Sequence, residues 1–201
     1  MTSPSQPPIV AGLLLAAGGG RRLGGRPKAL LRHRGAPLAE HAVRALREGG
    51  CDPVYAVLGA AAGRVRAEAD LTGCVLVENR GWEEGMGSSL RAGLAALAGT
   101  AADAVLVCLV DQPGVGAAAV ARVRAAYRSR GTLAAASYGG GRGHPVLLGA
   151  EHWRAAAEGA VGDLGARALL RERASSLVLV ECGDVAEAHD IDTAADLRLL
   201  E

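Results

Sequence analysis

The chain has 201 residues and a net charge of +1, enough length for one sizeable domain and no global field to draw it to nucleic acid or an anionic membrane. Half of the residues are apolar, yet only 2% are aromatic and Phe is absent, so the core must be built from Ala, Val and Leu. The longest apolar stretch near the N-terminus, Ile9 to Ala17, is too short to span a bilayer, and the four cysteines (Cys51, Cys74, Cys108, Cys182) form no C-x-x-C pair, against a zinc or dithiol site.

Residues 1–8, MTSPSQPP, read as a disordered leader without the positive charge of a signal peptide, and reduced cytosol is the expected compartment. Residues 9–201 are expected to form one domain. Apolar runs at 9–16, 53–59, 74–79, 103–111, 132–138 and 176–182 read as strands, several of them apolar throughout, as when helices cover both faces of a sheet. Segments 37–49, 86–99 and 115–131 have helical spacing with Gly at their ends. This alternation predicts an α/β domain of three layers around a mostly parallel sheet, with its ligand site at the carboxyl ends of the strands. The unusual loops follow those ends.

The first loop lies in LLLAAGGGRRLGGRPKALL, Leu13 to Leu31. Glycines let backbone N–H groups approach an anion, and Arg21, Arg22, Arg26 and Lys28 offer charge-assisted hydrogen bonds to phosphate. It is not a Walker A loop, since Ala29 follows Lys28, nor a Rossmann fingerprint, since Leu23 stands where the third Gly belongs. A solvated basic loop is the bland alternative. Next, NRGWEEGMGSSLRAGL (79–94) places Gly85, Gly87, Ser88 and Ser89 at a helix start, where N–H groups suit an anion or a base edge, while Leu90, Leu94 and Leu97 pack inward. In VLVCLVDQPGV, Asp111 is either a helix cap or a metal ligand, because Mg²⁺ binds through one or two carboxylates plus substrate phosphates. Cys108 in the same run reads as a buried thiol. His144 sits in GGGRGHPVLLG before a strand at PVLLG, and in GDLGARALL Asp163 is placed to cap its helix while Arg167 suits either a phosphate or a salt bridge. Asp190 and Asp192 in DID offer a second carboxylate, although Asp192 and Thr193 are also caps for a terminal helix.

These blocks, in order over residues 9–198, resemble the MobA-like nucleotidyltransferases, in particular the molybdenum cofactor cytidylyltransferase branch. Leu15, Ala16, Ala17, Gly18, Arg22, Gly24 and Lys28 match the first signature; Asn79, Trp82, Gly85, Met86, Ser88 and Ser89 match the second. The resemblance implies a Rossmann-like sheet of the nucleotide-diphospho-sugar transferase, GT-A-like kind. It implies that Leu15, Ala16, Ala17, Gly18, Lys28, Asn79, Gly85, Ser88 and Ser89 bind the nucleotide, and that Arg22, Lys28 and Asp111 carry catalysis. Asp111 and Asp190 would hold Mg²⁺, Asp190 being preferred to Asp192. Gly143, His144, Pro145 and Arg167 fall on the second-substrate side. Gly19 and Gly20 replace the polar residues common there and are expected to loosen the loop.

The implied reaction moves a nucleoside monophosphate: an acceptor phosphate oxygen attacks the α-phosphorus and pyrophosphate leaves in line, which needs positioning and charge neutralisation rather than a covalent nucleophile. Within the resemblance, Ala16-Ala17-Gly18 favours CTP, and the S-S and G-H-P blocks favour molybdopterin as acceptor, with a molybdoenzyme or its chaperone as a possible protein partner. The alternatives are guanylyl transfer from GTP and a non-catalytic nucleotide-binding regulator. A glycosyltransferase of similar fold would carry D-x-D where this chain has Asp111-Gln112-Pro113.

Overall fold

The structure, a computed structural model, describes residues 7–201. The leader expected at 1–8 therefore lies largely outside the described residues; Pro7 and Pro8 are exposed and outside any element. The strands are β1 (Val10–Ala16), β2 (Arg32–His33), β3 (Ala36–Pro37), β4 (Val54–Leu58), β5 (Cys74–Glu78), β6 (Ala104–Leu109), β7 (Leu133–Tyr138), β8 (Gly141–Gly149) and β9 (Leu177–Glu181). The helices are α1 (Leu38–Glu48), α2 (Ala62–Glu68), α3 (Met86–Leu97), α4 (Ala117–Arg124), α5 (Trp153–Glu158) and α6 (Arg167–Glu172).

Seven strands form one sheet in the order β5-β4-β1-β6-β8-β7-β9, while β2 and β3 make a separate two-residue ribbon. Every pairing in the large sheet is parallel except those of β8, which runs antiparallel to both β6 and β7. β1 is an interior strand, between β4 and β6, with all seven residues buried. Its side chains alternate between faces, as strand geometry requires. Val10, Leu14 and Ala16 pack with α1, α2 and α4 on one side; Ala11, Leu13 and Leu15 pack with α3, α5 and α6 on the other. Both faces are covered, so β1 is apolar throughout. The three-layer α/β architecture expected from the sequence is the one observed.

Some boundaries differ. The helix expected at 115–131 ends at Arg124, because the Thr132 hydroxyl oxygen accepts the N–H groups of Arg128 and Ser129 and turns the chain into β7. β8 begins at Gly141, four residues before the expected PVLLG strand, through a tight turn from β7 in which Gly139 and Gly140 have positive φ. The terminal helix is a 3₁₀ segment, Ala194–Leu200, with Thr193 as its N-cap. β5 and β9 are edge strands rather than doubly covered ones, so Val75, Leu76, Val178 and Leu179 are exposed. The four cysteines are free thiols, Cys108 is buried as expected, and burial pushes the Cys51 thiol up to about 12. No helix among the described residues is long and apolar enough to cross a membrane.

The α3–β1 contact is close because Gly93 presents no side chain: a Cβ there would stand 2.6 Å from Leu13 Cδ1. Gly93→Val should therefore destabilise by about 1–3 kcal/mol through overpacking. Urea denaturation of Gly93→Val, Leu13→Ala and the double variant checks this: the double variant should lose clearly less than the sum of the single losses.

Candidate functional site

A cleft of about 1040 Å³ opens at the carboxyl ends of the parallel strands. It is walled by the loop after β1, the 79–86 segment after β5, the corner after β6, the start of β8 and the segment after β9. β8 reaches it only because it runs backwards: its first residues, not its last, meet that edge.

The β1 loop is packed closely at its glycines and anchored by its apolar residues. Gly20 has φ +60, and a Cβ there would sit 1.9 Å from the Arg26 carbonyl oxygen. Gly20 C=O accepts the N–H groups of Leu23 and Gly25 at 2.8 and 3.1 Å. A Cβ on Gly19 would stand 2.9 Å from the Trp82 ring. These two glycines thus tighten the loop against Arg26 and Trp82, contrary to the expected loosening. Leu23 and Ala29 are buried and fix the ends of the basic segment. Arg21 and Arg26 are exposed and make no ion pair among the described residues, as solvated cations would.

Lys28 is the cation that points inward. Its Nζ donates to Asp111 Oδ2 at 2.6 Å and to Asp192 Oδ1 at 2.5 Å. Arg22 is more exposed and lies 3.7 Å from Asp192 Oδ2. Burial works against the Lys28 charge, but Asp111 and Asp192 outweigh it and hold the amine above its ordinary value. Burial likewise pushes the Asp111 carboxyl up; Lys28 pulls it down, and Asp190 adds a like-charge push. Asp111 Oδ1 is buried and has no hydrogen-bond partner. The site is therefore short of positive charge even with Lys28 in place.

Asp190, the expected second metal ligand, is exposed and accepts from Gln112 Nε2 at 2.7 Å. The Ile191 N–H between the two aspartates donates to the Asp111 carbonyl at 2.9 Å, so the DID segment is laced onto the β6 corner. A divalent cation fits this donor set. The bare Asp111 Oδ1 and the nearby Asp190 carboxylate are oxygen ligands, and among the described residues no group of three or more His, Cys, Asp or Glu could hold a metal alone. The remaining coordination positions would fall to phosphate and water, the habit of Mg²⁺ and similar hard cations.

The residues expected to bind nucleotide divide into two groups. Leu15, Ala17, Gly18, Lys28, Gly85 and Ser89 line the cleft. Ala16, Asn79 and Ser88 do not. Ala16 packs into the core on the opposite face of β1. Asn79 is buried, donates to the Ser88 and Ser89 hydroxyls at 2.8 and 3.0 Å, and accepts from the Gly81 N–H at 3.0 Å. Ser88 Oγ donates to the carbonyls of Gly81 and Gly85. Asn79 and Ser88 thus build the loop that presents Gly85 and Ser89.

On the opposite wall, Gly143, His144 and Arg167 line the cleft and Pro145 is buried behind them. Arg167 makes no ion pair among the described residues. Asp163 does not cap its own helix: its Oδ1 accepts the Met86 N–H at 3.2 Å, at the start of α3, which has no cap of its own. Gln112 and Arg142 also line the cleft, and neither stood out in the sequence. Burial first, then the cations of Arg167 and Arg142, push the His144 imidazole down to about 4.

The sequence profile of the MobA-like NTP transferase domain matches residues 12–177. The chain is 42% identical to nicotine blue oxidoreductase of Paenarthrobacter nicotinovorans, over 96% of this chain and 97% of that protein. It is 40% identical to a probable molybdenum cofactor guanylyltransferase of Opitutus terrae, over 59% of this chain and 56% of the relative. Among solved structures, Rv0371c of Mycobacterium tuberculosis H37Rv superposes with a TM-score of 0.80 at 29% identity, covering 96% of this chain and 97% of that one. A manganese complex of Rv0371c superposes at 0.75. The chain belongs to the MobA-like NTP transferase family.

A histidine whose folded value lies below its unfolded one stabilises the fold fully above the unfolded value and loses that contribution as pH falls through the window between the two. For His144 that window runs from 6.5 down to about 4. An NMR titration should show the His144 ring neutral from pH 7 to about 5, with stability declining as pH falls through the window; ordinary titration near 6.5 would contradict the burial and the paired arginines.

Proposed function

We propose that this MobA-like NTP transferase moves a CMP group from CTP to a phosphorylated acceptor of the molybdopterin type and releases pyrophosphate. One observation carries the reading: Lys28 Nζ lies between Asp111 and Asp192 at the strand ends, beneath a glycine loop whose cleft-facing backbone leaves room for a triphosphate. Lys28 neutralises charge developing on the α-phosphoryl, and Arg22 receives the departing pyrophosphate. An acceptor phosphate is already ionised near neutral pH, so the attack needs no strong general base. Neutral His144, with Arg142 and Arg167 beside it, forms the wall for an anionic acceptor. A divalent cation on Asp111 and Asp190, Mg²⁺ in this reading, supplies further charge neutralisation to the phosphates. The choice of CTP rests on Ala16-Ala17-Gly18, where Ala17 lines the cleft and Ala16 does not. We place the enzyme in the cytoplasm, with a molybdoenzyme or its chaperone as recipient of the product.

Two relatives support other readings of the same cleft. The Opitutus protein is named for guanylyl transfer, and the Paenarthrobacter protein, similar over nearly its whole length, for an oxidoreductase activity. Trp82, Met86 and Leu164 in the cleft wall would suit a flat aromatic substrate.

Radiolabelled CTP and GTP, each with Mg²⁺ and molybdopterin, separate these readings. CTP-dependent pyrophosphate release is expected, and Lys28→Ala should lower it at least about a hundredfold. Release with GTP alone would move the assignment to guanylyl transfer. No release with either nucleotide, together with redox turnover of nicotine blue, would replace it with the oxidoreductase reading.

A further inference from the structure

The segment between α5 and α6 lies directly on the start of α3. A Cβ on Gly85 would stand 2.6 Å from Asp163 Oδ1 and 2.7 Å from the Gly162 carbonyl oxygen, and one on Gly87 would stand 2.7 Å from the Ala160 carbonyl oxygen. Glycine at both positions admits the contact, and two polar ties hold it. The Arg91 guanidinium, on the body of α3, donates to the Ala160 carbonyl. Asp163 Oδ1 accepts the Met86 N–H at 3.2 Å. The first turn of α3 has no acidic residue of its own, and the Ser88 hydroxyl is turned to the carbonyls of Gly81 and Gly85. Asp163 is therefore the carboxylate that meets the positive end of this helix.

The same chain then runs into the opposite wall. Gly162 and Gly165 flank Asp163 at positive φ, a stretch soft enough that one anchor between them decides its path. Arg167, four residues past Asp163, opens α6 and lines the cleft. Buried Leu169 and Leu170 fix the body of α6, whereas its exposed first residue depends on the chain that leads into it. One end of the segment thus grips the element that carries Gly85 and Ser89, and the other carries a cation of the acceptor side.

We propose that Asp163 is a positioning residue for the transfer: anchored on the Met86 N–H, it sets the distance between the nucleotide side of the cleft and Arg167 on the acceptor side. The inference rests on the nucleotidyl-transfer reading above. In that reaction the acceptor oxygen bonds to the α-phosphorus as the bond to pyrophosphate breaks in line, and a misplacement of about 1 Å costs on the order of a hundredfold in rate. Asp163 acts on the acceptor through Arg167.

The test is steady-state pyrophosphate release by the full chain with Mg²⁺, molybdopterin and CTP or, in parallel, GTP. Asp163→Ala should lower kcat/KM for molybdopterin at least about tenfold while the KM for nucleotide stays within about threefold. Asp163→Asn keeps a side-chain oxygen for the Met86 N–H and should stay within about threefold of wild type. The double variant Asp163→Ala/Arg167→Ala should be no slower than Arg167→Ala alone, because nothing is left to position. A cap that serves α3 alone would instead lower Tm, weaken nucleotide and molybdopterin alike, and add its full loss to that of Arg167→Ala. Unchanged kcat/KM in Asp163→Ala, losses that add in the double variant, or Asp163→Asn as slow as Asp163→Ala overturn the inference alone. Absence of release by the wild type with either nucleotide overturns the transfer reading and the inference with it.

Discussion

The contact between Lys28 and Asp111 is the constraint on which the site depends. It joins the loop after the first strand to the corner after β6, and Asp192 extends it to a segment 164 residues further along the chain than Lys28. An isolated buried carboxylate is costly, so Asp111 can stand at the floor of the cleft only with a cation against it. Lys28 supplies that cation from a segment whose Leu23 and Ala29 are buried. The rest of the cleft is arranged around this pairing.

The sheet places the parts. Parallel β1, β5 and β6 end at one edge, so the loops that follow them converge on the cleft. The reversed β8 adds a wall of different character. Where the parallel strands contribute glycine backbone, carboxylates and a lysine, β8 contributes Arg142 and His144, separated by Gly143 and sharing one local field. A cleft with cations on both walls and carboxylates at its floor suits two anionic substrates bound with a metal between them.

Much of this was legible in the sequence, and the parts that were not share a cause. The doubly covered strands announce themselves by continuous apolar runs, and the glycine-rich basic loop and the lone Asp111 stand out against them. Asn79, Ser88 and Asp163 are polar residues in a loop or the first turn of a helix, and sequence offers no means of telling one that faces a ligand from one that satisfies a neighbouring backbone group. Their partners lie up to 77 residues away, as Asp163 and Met86 show. Asp190 and Asp192 pose the same difficulty at closer range: two carboxylates with one residue between them differ in which way the chain turns them, and Gln112, Ile191 and Asp196 hold those turns. The glycines at 19 and 20 misled for a related reason. Glycine suggests freedom, but here it permits the close approach of Trp82 and the Arg26 carbonyl, and so fixes the loop.

A crystal structure with the α,β-methylene analogue of CTP and Mn²⁺ tests the central claim most directly. The account predicts Lys28 Nζ within hydrogen-bonding distance of a phosphate oxygen, with the anomalous Mn²⁺ peak against Asp111 Oδ1 and Asp190. Lys28 still clasped between Asp111 and Asp192, with the nucleotide absent from the glycine loop, would contradict it.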